Sequence, residues 1–281
     1  MHAFVLGASK NIGYHAALRL LKQGTTVTFL LRSTSIFDND EEIQPFFKDG
    51  KAQLVRGDAF NRDDVRKGWE AAVQASAGKV GVVLSTIGSY SEFSAPARWL
   101  ELKHRPWFLP RPSRSLHALP GSLRAPETQP RFVVITAMAV TSESQAAVPL
   151  VLKPLYYVVL PAALADKLGV ERILSHAAGW SWSSKDDPSN DILTQGWKST
   201  PGLPRQGDLK HVVIVRPAVL TDGESRGDEA VKSGNEPYRT KKVVIMSSAY
   251  RVLRKDVAHF VVEKVLPNWS EWEGYGVVIA Y

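Results

Sequence analysis

Seven residues near the start of the chain, Gly7-Ala8-Ser9-Lys10-Asn11-Ile12-Gly13, carry the clearest chemical signal. They follow a short apolar run, Ala3–Leu6, and open an apolar helical face at Ile12, Ala16 and Leu20. In a strand–turn–helix setting, backbone amides and the helix N-terminus bind a pyrophosphate. Gly7 permits the tight turn, and Gly13 lets helix and strand approach closely. The middle glycine of such turns is absent, and Asn11, which tolerates positive φ, stands in for it. The plainer alternative is an ordinary βα turn. Dinucleotide sites read the adenosine ribose at the end of the second strand, about 20 residues on. Arg32 holds that position, where a guanidinium pairs with a 2′-phosphate and a carboxylate would bind a free 2′-hydroxyl. Ser33, Thr34 and Lys10 add donors, so the pattern favours NADP(H) over NAD(H). Asp58, at the end of a third strand, can accept from the adenine amino group or cap a turn. Ser85, Thr86 and Ile87 follow a fourth strand and border the cofactor by the same topology.

These residues need a scaffold of alternating strands and helices. Strands are expected at Ala3–Leu6, Val27–Leu31, Gln53–Val55, Val80–Leu84, Phe132–Ile135, Val212–Val215 and Gly276–Ala280. Asn61 should cap a helix carrying Asp63 and Asp64 in its first turn. A long helical region covers Leu155 to Ala177, with Pro161 as a possible break, and another runs from Asp256 to Leu266 and stops at Pro267. Such alternation implies βαβ units and a parallel sheet. Two segments depart from it. Lys103 to Pro130 holds six prolines, too many for a regular helix. Gly179 to Asp208 reads as an irregular insertion whose Trp180, Trp182 and Trp197 either pack the loop or wall an apolar pocket.

Composition excludes several classes. The 281 residues suit one large α/β domain or two small ones, and 44% hydrophobic with 22% charged is a globular balance. The net charge is +7, part of it local: between Arg98 and Arg131 seven Lys/Arg face only Glu101 and Glu127. That excess sits in a Pro-rich loop and is not spread along a helix face, so no nucleic-acid partner is expected. The chain has no cysteine, which excludes disulfides and thiolate chemistry and fits a reducing compartment. Met1-His2 runs straight into Ala-Phe-Val-Leu-Gly with no basic-then-apolar leader, so a cytoplasmic location is expected and Asn268-Trp269-Ser270 reads as a chance sequon. Val148 to Ala165 is the most membrane-like stretch, but Pro149, Lys153, Pro154 and Pro161 interrupt it, and no stable membrane insertion is expected. The seven histidines are scattered with no His-x-x-x-His pair, so no metal site is expected. No Gly-x-Ser-x-Gly elbow supports hydrolase chemistry.

The glycine turn, Leu30-Leu31-Arg32 and Gly57-Asp58 together resemble the atypical short-chain dehydrogenase/reductases of the NmrA-like NAD(P)-binding group. Asp166-Lys167, Glu171-Arg172-Ile173-Leu174, Arg216-Pro217-Ala218-Val219-Leu220-Thr221-Asp222-Gly223 and Arg254-Lys255-Asp256-Val257-Ala258 extend the resemblance. It covers most of the chain except roughly 98–130 and 179–208. The wider superfamily uses Tyr-x-x-x-Lys, where lysine lowers the tyrosine pKa. Here Ala163 precedes Lys167 by four, so the lysine is present and the tyrosine is not. The resemblance then implies that Lys167 anchors the nicotinamide ribose or protonates a substrate oxygen; a salt bridge to Glu171, one turn on, is the plainer alternative. It further implies that Thr136 orients substrate, with Thr141 and Ser142 slightly beyond, and that Pro217 and Ala218 cover the nicotinamide ring. Tyr156 and Tyr157 are near in sequence and read as packing.

The expected architecture is a Rossmann-type doubly wound parallel sheet over 1–281, with a small C-terminal substrate lobe. The expected activity is hydride transfer between NADP(H) and a small carbonyl or conjugated substrate. The alternative is an NADP(H)-binding regulator that turns nothing over. Substrate and oligomeric state are not legible.

Overall fold

A computed structural model describes residues 1–87, 116, 118–156, 160–234, 236–242 and 245–281. The expectations for 103–115 and for Tyr157 lie outside the described residues. Six strands run from the first residues onward, with described α-helices following each of the first three and the fifth: β1 His2–Leu6, β2 Thr26–Leu31, β3 Ala52–Arg56, β4 Val80–Ser85, β5 Arg131–Ile135 and β6 Val212–Pro217. They are followed by β7 Val219–Thr221, β8 Arg239–Lys241, β9 Arg251–Leu253 and β10 Gly276–Ala280. Eight strands form one sheet in the order β3-β2-β1-β4-β5-β6-β10-β8, and β7 pairs with β9 in a second. Every pairing in the large sheet is parallel except β10 with β8. The order reverses between β1 and β4, the switch point at which doubly wound sheets bind ligands beyond the carboxyl ends of their strands.

Alternation along the strands sends side chains to two apolar layers. Ala3 and Val5 of β1 face one, and Phe4 and Leu6 face the other. The first layer is closed by α1 (Asn11–Lys22) and by α7 (Arg254–His259), which continues into a π-helical turn, Phe260–Val265. The second is closed by α3 (Arg62–Ala75) and α5 (Pro161–Ala178), through Val65, Trp69, Val170, Ile173 and Leu174. Shorter α-helices among the described residues are α2 (Gln44–Lys48), α4 (Ser142–Ala146), α6 (Arg226–Ser233) and α8 (Trp269–Trp272).

Local chemistry explains the boundaries. The Asn61 side chain accepts from the amides of Asp63 at 2.9 Å and Asp64 at 3.3 Å, as its residue type predicts. Pro161 does not break the long helix; it is the first residue of α5, where its missing N–H costs nothing. Gly179, in the left-handed region, ends α5. The 179–208 insertion has only 3₁₀ turns, yet Ile192, Leu193 and Leu203 are buried in the α5 side of the core. Trp182 and Trp197 stack on Arg172 of α5, a cation–π arrangement. Arg172 also pairs with Asp187 at 2.8 Å. Loop packing is therefore what these two tryptophans do. None of the described helices is long and apolar enough to cross a membrane.

Candidate functional site

At the switch point the structure is built from the absence of side chains. Gly7 adopts φ +84°, and a Cβ there would lie 2.8 Å from the Ile87 amide nitrogen at the end of β4. A Cβ on Gly13 would collide with the Thr86 hydroxyl and sit 2.8 Å from the Ala8 Cα. Both glycines are therefore required by close approach. Thr86 donates its hydroxyl to the Gly7 carbonyl at 2.9 Å and its amide to the Leu6 carbonyl at 3.0 Å. Asn11 sits at φ 60°, the left-handed conformation its residue type tolerates. Helix α1 begins at that residue with no side-chain cap and no acidic residue in its first turn. Its first amides and the positive end of its dipole thus face the turn, the arrangement that binds an anion. Ser9 and Lys10 of the turn are exposed, Asn11 is half-buried, and Ile12 is buried beneath it.

Arg32 and Ser33 lie just past β2, both exposed, and the Ser33 and Ser35 hydroxyls are 3.0 Å apart. Asp58 lies past β3. One of its oxygens accepts from the Phe60 amide at 2.9 Å and its own amide donates to Asp64 at 3.0 Å, so it forms a turn that leads into α3. Ser85 is buried at the end of β4. The β1–β4 part of the predicted set is thereby gathered along one rim of the sheet.

The other part of the rim, at the ends of β4, β5 and β6, is built from charged side chains on α5. Lys167 donates to the Ile87 carbonyl at 2.5 Å and to the Ile135 carbonyl at 3.1 Å, bridging the ends of β4 and β5. The alternative of a salt bridge to Glu171 one turn on is not the contact formed; Lys167 bonds these two carbonyls instead. Glu171 is fully buried and takes Arg216 of β6 instead, with contacts of 3.0, 3.2 and 2.7 Å. Glu171 also accepts the Thr136 hydroxyl proton at 2.6 Å. Gly276 makes room for the guanidinium, since a Cβ there would lie 2.5 Å from the Arg216 Cζ.

Burial drives the Lys167 pKa below the ordinary lysine range, against the pull of Asp166 and Glu171. Burial also opposes the charge on Arg216, but Glu171 outweighs it and the pKa is raised. The Glu171–Arg216 pair had no signal in sequence beyond residue type, because its members lie 45 residues apart.

Beyond Thr136 the chain turns tightly. Ala139 is fully buried at φ 64°, an uncommon conformation for a residue with a Cβ. Met138 donates its amide to the Pro217 carbonyl at 2.9 Å, and Ala218 donates to Ile279 at 3.0 Å. Thr141 and Ser144 form a capping box for α4, which makes Thr141 structural. Ser142 donates its amide to Asp186 at 2.7 Å, tying the insertion to this loop. Tyr156 is buried in a small cluster with Met138 and Ala218.

At the level of sequence the chain matches no family model and no curated protein. Its fold is that of known reductases. It is similar to ChuY, an anaerobilin reductase from Escherichia coli O157:H7, at 15% identity and TM-score 0.54, over 100% of this chain and 97% of that one. It is similar to an alcohol dehydrogenase from the archaeon Thermococcus sibiricus, complexed with 5-hydroxy-NADP, at 14% identity and TM-score 0.54, over 99% and 95%. It is also similar to an actinorhodin polyketide ketoreductase with NADPH, at 16% identity and TM-score 0.53, over 99% and 94%. At these identities the likeness is one of architecture: a Rossmann-type α/β fold.

Proposed function

We propose that the chain is an NADP(H)-dependent oxidoreductase in which residues 1–281 form one dinucleotide-binding domain with a small C-terminal substrate lobe. The observation that carries this reading is the turn from Gly7 to Gly13, sealed against the end of β4 with an uncapped helix N-terminus behind it. The residues fit a nicotinamide dinucleotide. Backbone amides at Ser9 to Gly13 would hold the pyrophosphate, Arg32 and Ser33 the 2′-phosphate, and Asp58 the adenine edge. Ser85, Thr86 and Ile87 would line the crevice, with Pro217 and Ala218 across it. Two of the similar structures carry NADPH or 5-hydroxy-NADP, which supports this class of ligand.

The bound cofactor would supply the hydride, to or from a small carbonyl or conjugated substrate. The chain's own residues bind, orient and exclude water. Lys167, with its lowered pKa, is the candidate proton donor or ribose anchor. Thr136 is the candidate orienting hydroxyl. Its proton is given to Glu171, so it meets a ligand through its oxygen lone pairs.

A second reading, an NADP(H)-binding regulator of the NmrA-like type, is favoured by one observation. Ala163 lies four residues before Lys167, and two of the three lysine donors are spent on carbonyls. Calorimetric titration with NADPH and NADH tests the shared premise. Tight NADPH binding, with Arg32→Ala removing a preference of about tenfold or more, is the expected result. Equal binding of both removes Arg32 from the reading; binding of neither overturns both readings. NADPH consumption with quinones, flavins, enals and ketones then separates enzyme from regulator.

A further inference from the structure

Lys167 stands at one end of an unbroken series of short contacts that finishes at the dinucleotide turn. Its ammonium holds the Ile87 carbonyl at 2.5 Å and the Ile135 carbonyl at 3.1 Å. The amide nitrogen of the same Ile87 and the carbonyl carbon of Thr86 form the wall against which Gly7 is set, 2.8 and 2.9 Å from where a Cβ would be. The Thr86 hydroxyl grips the Gly7 carbonyl at 2.9 Å. Ile87 is itself part of this wall, so between it and Gly7 the contact is main chain against main chain, with the Thr86 hydroxyl as a side-chain link beside it.

A site made of backbone amides depends on such a wall. Hydrogen-bond strength falls steeply when donor and acceptor are misplaced, and a shift of the β4 end would be passed to Gly7 with nothing to absorb it. We propose that Lys167 is a positioning residue. By holding the Ile87 carbonyl it fixes the wall that sets the pyrophosphate-binding turn, and so governs cofactor affinity without touching that part of the cofactor. This rests on the dinucleotide reading above.

The two ways in which Lys167 can affect affinity are separable with a truncated ligand. NADPH carries a nicotinamide ribose; 2′-phosphoadenosine 5′-diphosphate carries both phosphates of the pyrophosphate and lacks that ribose. Calorimetric titration of wild type and Lys167→Met with each compound is the test. The expected result is a loss of about tenfold for both compounds alike, through misplacement of the amides that would bind the phosphates. Lys167→Arg, which keeps charge and donors, should recover part of it for both.

A variant that loses NADPH but keeps the truncated compound would make Lys167 a direct ribose contact and overturn the proposal. Unchanged affinity for both would overturn it too, while leaving the dinucleotide reading intact. Wild type that binds neither compound would overturn that reading and this one together. Should Lys167→Met fail to give a cooperative melt, Lys167→Gln, uncharged and one bond too short to span both carbonyls, is put through the same comparison with the same criteria.

Discussion

The rim of the sheet is built in two opposite ways on either side of β4. From β1 to β3 it is made of missing atoms: two glycines, an uncapped helix start, and an arginine left in solvent. From β4 to β6 it is made of buried charge, with Lys167, Glu171, Arg216 and Thr136 satisfying one another and the strand-end carbonyls. The first part holds the donors that the proposed dinucleotide would take. The second spends most of its own on holding three strand ends at fixed spacing. A preorganised site needs both: exposed groups to bind, and a rigid supporting layer that keeps them within reach of the productive geometry.

The largest expected effect breaks the charged part. Glu171→Ala removes the carboxylate that pairs with the largely buried Arg216 guanidinium, and it frees the Thr136 hydroxyl. Urea unfolding should show a loss of about 3–5 kcal/mol, the range for removing one partner of a buried pair. A loss near zero would mean that water reaches Arg216 and that the charged part is no stiffer than the open one.

Breaking the glycine part should cost less in stability and more in binding. Gly13→Ala places a methyl group against the Thr86 hydroxyl and the Ala8 main chain. The expected destabilisation is about 2 kcal/mol, with cofactor binding abolished in calorimetry. A variant that binds NADPH normally would show that α1 can move off the strand, against the close approach described here.

A control away from the rim sharpens the comparison. His2, at the other end of β1, is buried between the hydroxyls of Thr26 and Thr28, at 2.7 and 2.8 Å, and burial lowers its pKa to about 4. Its ordinary value near 6.5 applies in the unfolded chain, so the unfolded state takes up the proton first. Stability is then full above that ordinary value and declines as pH falls towards the folded one, by about 1–2 kcal/mol after allowing for partial solvent access. Denaturant melts of wild type and His2→Gln at pH 7 and pH 4.5 read this directly. An equal acid loss in both proteins would place the sensitivity at groups other than His2.

Legibility in the sequence followed the same division. The glycine turn, the Asn61 cap and the positions of the strands through β5 depend on neighbours a few residues apart, and periodicity and residue type expose them; the order of those strands in the sheet does not. The charged part depends on contacts between α5 and strand ends 32 to 80 residues away. Lys167 pairs with backbone carbonyls, which every residue owns, so nothing in the chain could mark them as its partners. The spacing to Glu171 suggested a pair along one helix face, and both residues instead turn inward to different strands. The strands β7, β8 and β9 are three residues each, too short for alternation to be seen, and they belong to the part of the chain read as a small lobe.

One of those short strands bears on how the protein behaves in a crowded solution. β8 closes the sheet by running antiparallel to β10, and it consists of Arg239, Thr240 and Lys241. A longer apolar strand there would offer a row of unpaired amides and carbonyls to any other sheet it met. Three residues with a cation at each end give such a neighbour little to zip onto and repel a copy of themselves. Arg239 also holds the carbonyls of Ser247, Ser248 and Tyr281, so Lys241→Val is the change that would strip a cation from that border and open it to edge-to-edge pairing.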